Sequence, residues 1–113
     1  MPRFVTALAA ALCALPAASR AHAAEVLTGA QIVEVLSGTT LIYENGAVQT
    51  FYASGKTVYR FGEPSWGSWG TRGDQYCSTW PPSGSWECYT LRVHEPIFEF
   101  IGEAGDITIG FQQ

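Results

Sequence analysis

Two cysteines, Cys77 and Cys88, stand eleven residues apart in the second half of this 113-residue chain. In an oxidising compartment such a pair closes one disulfide with a single possible connectivity. A metal site would need further ligands close by. His94 is the only histidine in that half, and two Cys with one distant His do not make a zinc pattern. His94 would also have to be the base of any Ser-His-Asp triad, yet it sits in a His94-Glu95-Pro96 break where polar residues are ordinary. There is no G-x-S-x-G elbow, no H-E-x-x-H helix and no phosphate-cradling glycine loop. Glu95, Glu99 and Glu103 share strand parity, which describes a solvated acidic edge. A glycosidase pair would need an apolar pocket to raise one carboxyl pKa, and the flanking residues supply none. The sequence therefore predicts no catalytic residue, no metal and no cofactor.

The aromatic residues are the remaining candidates. Trp66, Trp69, Trp80 and Trp86 fall within 21 residues, with Tyr76 and Tyr89 close by. Two uses are open. Rings of this size fill the core of a small β domain, or one or two of them form a platform. Trp80 and Trp86, beside the Pro81–Ser85 loop, are the platform candidates; they would stack on a sugar or receive a partner protein. The predicted contact set is Trp69, Tyr76, Trp80, Trp86 and Tyr89. Arg72 and Arg92 would add cation–π or carboxylate contacts to it.

These residues need a frame. Thr28-Gly29-Ala30-Gln31 is a capping box, Leu27 and Ile32 hold the hydrophobic-staple positions, and Gly38 follows Ser37 as a stop. The spacing predicts a helix over Gly29–Leu36 with Ile32, Val33 and Leu36 as its buried stripe. It is too short to stand alone, so it must dock as a lid on one end of something larger. After Gly38 the chain reads as strands at 39–43, 47–53, 57–61, 66–71, 75–80, 86–93, 97–101 and 107–111, separated by turn residues. Asn45-Gly46 supplies the positive φ of a type I′ hairpin. Short connections force antiparallel neighbours. The predicted fold is mainly β: an antiparallel up-and-down meander of about eight short strands, forming a small barrel or strongly curled sheet, with one short N-terminal helix. Alternation marks Leu41/Tyr43, Tyr59/Phe61 and Ile107/Ile109/Phe111 as apolar sets, while Ile97/Ile101 and Phe98/Phe100 compete for one face. A hairpin looping at Pro81–Ser85 sets Cys77 opposite Cys88. It makes Tyr76 and Tyr89 partners on the other face, with Trp80 on their side and Trp86 on the disulfide side.

The setting follows from the first residues and the charge. Arg3, the uncharged run Phe4–Ala18 and Ala21-His22-Ala23 read as a secretory signal peptide over residues 1–23, cut after Ala23 or Ala24. The apolar run is short for a membrane span, and Leu12 before Cys13 does not suit lipidation. The predicted domain is 24–113, periplasmic or secreted. It has four basic residues against ten acidic ones, a formal charge of −6. Without clustered Lys/Arg it has no footprint for nucleic acid, and it has no segment for stable membrane insertion.

Gly29-Ala30-Gln31-Ile32, Leu36-Ser37-Gly38-Thr39-Thr40, the Tyr52-Ala53-Ser54-Gly55-Lys56 hairpin, Gly67-Ser68-Trp69-Gly70, Tyr76-Cys77-Ser78-Thr79-Trp80 and Cys88-Tyr89 resemble a group of small exported proteobacterial proteins of unknown function. That group is similar in outline to calycin-type β-barrels, which often bind ligands or proteins. The resemblance spans nearly all of 24–113 and implies fold and compartment; it brings no catalytic residues. The expectation is an exported, non-enzymatic binding or interaction module of the bacterial cell envelope. Two alternatives stand beside it. One is an inhibitor of a hydrolase of lysozyme or protease type, using a protruding loop. The other is a carrier barrel for a sugar or apolar small molecule.

Overall fold

The structure is a computed structural model that describes residues 25–113. The signal-peptide reading lies outside the described residues. Thr28 caps the helix α1 (Gly29–Leu36). Its hydroxyl accepts from the Gln31 N–H at 3.3 Å, and the Gln31 side chain accepts from the Thr28 N–H at 2.9 Å. Ile32 and Leu36, one turn apart, are fully buried, and each favours docking by about 1.5–3 kcal/mol. Val33 does not join them; it is 44% exposed. One step along a helix turns a side chain by about 100°, and the third buried position of α1 is Gly29. Gly29 abuts the Gly73 carbonyl, and its N–H donates to Asp74 Oδ1 at 2.8 Å.

A two-residue strand, β1 (Glu25–Val26), precedes the helix. The strands β2 (Thr40–Tyr43), β3 (Val48–Phe51), β4 (Lys56–Phe61), β5 (Glu63–Arg72), β6 (Gln75–Thr79), β7 (Glu87–His94), β8 (Ile97–Ile101) and β9 (Ile107–Gln112) follow it. Each of β2 to β9 pairs antiparallel with the next, and β9 pairs back onto β2. Of the two predicted shapes the chain adopts the closed one, an eight-stranded barrel. Closure removes the edges that a curled sheet would leave open. The extra strand β1 lies on β7 beyond the end of β6, with Glu25 opposite Val93.

Three hairpins share one loop. Glu44–Gly46, Ala53–Gly55 and Glu103–Gly105 each end in a glycine with φ near 90° that donates its N–H back to the residue before the loop. The first keeps the three residues that the predicted strand bounds leave between Tyr43 and Ala47, one more than the two-residue loop of the type I′ turn expected from Asn45-Gly46. Tyr43 N–H donates to the Ala47 carbonyl at 2.8 Å, and the Asn45 side chain accepts from Ala47 N–H at 2.9 Å. The extra residue moves the register by one, so Leu41 faces Gln49 and both point inward.

Register also decides the contested faces. Phe98 and Phe100 are buried, and their partners Gly110 and Thr108 share their face. Ile97 and Ile101 therefore lie outside, and so do Ile107, Ile109 and Phe111. The β9 set that alternation marked as apolar is on the outer wall, with Ile107 51% and Phe111 41% exposed. Gly110 takes the inward place because the Leu41 and Tyr43 side chains already fill it. Tyr59 is half-buried, whereas Phe61 runs past the barrel rim and is exposed.

The helix covers one end. Gly38 N–H donates to the Phe51 carbonyl at 2.7 Å, and Gly29 is held at the β5–β6 turn. Beneath it lie Leu27, Ile32, Leu36, Leu41, Leu91 and Phe98, gathered around Phe51. The Phe51 ring meets Trp69 and Tyr76 edge-on, each at 5.8 Å, and stacks on Phe100 at 6.4 Å. Among the described residues no helix is long and apolar enough to cross a membrane.

Candidate functional site

The other end of the barrel is open. Its rim is made by the loops β2–β3, β4–β5, β6–β7 and β8–β9, and below the rim lies a cavity of about 710 Å³. Tyr43, Gln49, Tyr59, Tyr76, Ser78, Trp80, Tyr89 and Phe100 line it, and Ile107, Thr108 and Ile109 of β9 border it at the rim. Alternation puts them there: Tyr43 with Leu41, Gln49 with Phe51, Tyr76 with Ser78, Tyr89 with Leu91 and Phe100 with Phe98 are inward positions of their strands.

Gln49, 4% exposed, organises the floor. Its amide oxygen accepts from the Tyr43 hydroxyl at 2.6 Å, and its amide nitrogen donates to Thr57 Oγ1 at 2.9 Å. The Thr57 hydroxyl donates in turn to the Thr50 carbonyl at 2.8 Å. A buried amide bonded at both ends is held in one orientation and sets that of Tyr43. Higher up, the Trp80 indole N–H donates to Ser78 Oγ at 3.3 Å, and Asn45 Nδ2 donates to the Tyr59 hydroxyl at 3.2 Å. The Tyr89 hydroxyl donates to Glu87 Oε1 at 3.2 Å.

The rings form a continuous wall. Tyr43 and Tyr59 lie 6.0 Å apart, Tyr59 and Trp80 6.2 Å, Tyr76 and Tyr89 6.1 Å, and Tyr76 meets Phe100 at 5.2 Å. Gly67 makes room for it. A Cβ there would come within 2.6 Å of both the Thr79 carbonyl oxygen and the Trp80 ring. Two residues on, the Trp69 indole N–H donates to the Tyr52 carbonyl at 2.9 Å and helps close the helix end. The Gly67-Ser68-Trp69 motif thus seats one tryptophan in the cavity and one in the core.

Burial raises the phenol pKa values. Desolvation dominates at Tyr43, with the neighbouring Tyr76, Tyr59 and Tyr89 adding to it, and holds it far above the ordinary value. Burial likewise pushes Tyr76 up to about 12, against the hydrogen bonds of Ser78 and Gln49, which lower it. Tyr89 is raised first by desolvation and then by the Glu87 carboxylate. These phenols stay protonated at neutral pH. No lysine or arginine lines the cavity.

The residues singled out from sequence separate into three places: cavity, core and outer wall. Tyr76, Trp80 and Tyr89 meet in the cavity, and Trp69 sits in the core at the far end. Trp86 is on the outer wall with the Arg72 guanidinium 5.3 Å from its ring centre, so it shares no platform with Trp80. Arg92 Nε pairs with Glu99 Oε1 at 2.8 Å across β7 and β8. Cys77 and Cys88 are bonded on the same outer wall, as the hairpin register requires, an arrangement compatible with an oxidising, exported setting. Compared with family models, curated proteins and solved structures, the chain matches none. Its site must therefore be read from its own residues.

From sequence, Tyr43 and Tyr59 stood out only as members of apolar faces, and Gln49 did not stand out at all. Their signal was the inward parity of β2 to β4, which the Glu44–Gly46 loop carries from Leu41 and Tyr43 to Gln49. Among the described residues no group of three or more His, Cys, Asp or Glu could hold a metal. His94 closes β7 opposite Ile97, away from the rim.

Proposed function

We propose that this protein is an exported, non-enzymatic binding barrel of the cell envelope whose open end takes up a small organic molecule. The observation that carries the reading is the aromatic cavity of about 710 Å³, well within the size range of ligand sites. A core built only for stability would continue the packing around Phe51 to the rim. Instead the inward positions change from aliphatic to Tyr, Gln and Ser, leaving flat faces to stack on a ligand and a few hydroxyls to orient it. The lining pairs no histidine with a nucleophile, which favours recognition over turnover. Of the expected functions, this is the carrier barrel.

Titration with N-phenyl-1-naphthylamine, a neutral aromatic probe whose fluorescence rises in apolar surroundings, tests it. The expected result is saturable enhancement at one site, weakened about tenfold or more in Trp80→Ala and Tyr89→Ala. No saturable binding, or binding unchanged in both variants, would remove the cavity as the site.

A further inference from the structure

We infer that the ligand of the open end is an organic cation, an alkylammonium or quaternary ammonium group held in an aromatic cage. The inference rests on the cavity being a binding site and names the chemistry of what enters it. Three independent features point the same way.

The first is the ring wall itself. Tyr43, Tyr59, Tyr76, Tyr89 and Trp80 surround the space, and aromatic faces attract a cation through their negative quadrupoles, the more so out of water. The second is how the hydroxyl protons are spent. Tyr43 gives its proton to Gln49, Tyr89 to Glu87, and the Trp80 N–H is used by Ser78. What these groups leave toward the cavity is acceptor oxygen and π face. These acceptors suit a ligand that donates or carries positive charge, while Tyr59, whose hydroxyl accepts from Asn45, keeps one O–H to donate.

The third is the field at the mouth. Glu44 borders the cavity, and Glu87 lies on the inner face of β7, opposite Ser78. Glu63, Glu103 and Asp106 sit in or beside the rim turns. Of the four basic residues among those described, Lys56, Arg72 and Arg92 lie toward the helix end. Arg60 is on the outer face opposite Val48. A mouth lined by one sign of charge concentrates ligands of the other.

The test uses two molecules of one shape: choline and its neutral isostere 3,3-dimethyl-1-butanol, each competing against bound N-phenyl-1-naphthylamine. Choline is expected to displace the probe at about tenfold lower concentration than the isostere in low salt, with the advantage shrinking as salt rises. Glu44→Gln with Glu87→Gln should cut that advantage severalfold, read as the ratio of the two displacing concentrations. Equal displacement by the isostere, stronger displacement by a methyl glycoside, or no displacement by either while the probe binds would overturn the cation inference alone. Failure of the probe to bind at all would overturn the cavity reading with it.

Discussion

The two glycines of β5 form a matched pair for testing how the cavity is built. Both lie in one strand, three residues apart, with ordinary backbone angles. A Cβ at Gly67 would press to 2.6 Å on the Thr79 carbonyl oxygen, which belongs to the paired strand backbone and cannot swing aside. It would also press to 2.6 Å on the Trp80 ring. A Cβ at Gly70 meets nothing within 4 Å. Gly67→Ala must part β5 from β6 or expel the indole, an overpacking cost of about 2 kcal/mol. For a domain of this size that lowers Tm by roughly 8–16 °C. Gly70→Ala should be neutral or stabilise by about 0.5 kcal/mol, because alanine restricts the unfolded chain. Thermal unfolding followed by circular dichroism gives both numbers. In Trp66→Phe, Trp69→Phe, Trp86→Phe protein, which keeps only Trp80, Gly67→Ala should also shift emission to longer wavelength as the indole meets water. Equal Tm values for the two alanine variants, with Trp80 emission unmoved, would refute this account of the barrel mouth.

Other expectations follow from the same contacts. Replacing Cys77 and Cys88 together by serine frees a loop of about 12 residues. It should cost about 3 kcal/mol, or roughly 12–24 °C in Tm, measurable by calorimetry under oxidising conditions. Ile32→Ala should destabilise by about 2–5 kcal/mol while Val33→Ala stays near neutral, because only Ile32 is packed under the helix; urea unfolding separates them. Stability should hold up to about pH 10 and then fall toward pH 12 by about 1.4 kcal/mol per unit for each buried phenol. The sign follows because folding raises the pKa values of Tyr76 and Tyr43, so above pH 10 the unfolded chain binds fewer protons than the native one. Urea melts across that range read the slope directly.

The parts legible in the sequence were those set by local chemistry. Thr28 and Gln31 wrote the helix start, and the Pro81–Ser85 loop wrote the pairing of Cys77 with Cys88 and of Tyr76 with Tyr89. What escaped depended on register across distance. The three-residue loop after Tyr43 sets Gln49 beside Leu41 on the inner face, and no propensity of Gln49 itself says so. Ile97 and Phe98 are equally apolar, so the inward choice fell to the contacts of Phe98 with residues from distant strands. Ile107, Ile109 and Phe111 alternate cleanly, yet the barrel needed the small residue, Gly110, on its inner side. Closure depends on β9 meeting β2, two segments over sixty residues apart in sequence, and no short pattern encodes it. Trp80 and Trp86 are neighbours across a loop but point to opposite faces, as their parity already required.

The most direct test of the central claim is to map where a ligand sits. Aromatic and methyl NMR shifts should be recorded on protein saturated with N-phenyl-1-naphthylamine. The account expects the largest changes on Tyr43, Tyr59, Tyr76, Tyr89 and Trp80. Changes gathered instead on Ile97, Ile101 and Phe111 would put the ligand on the outer wall and contradict it.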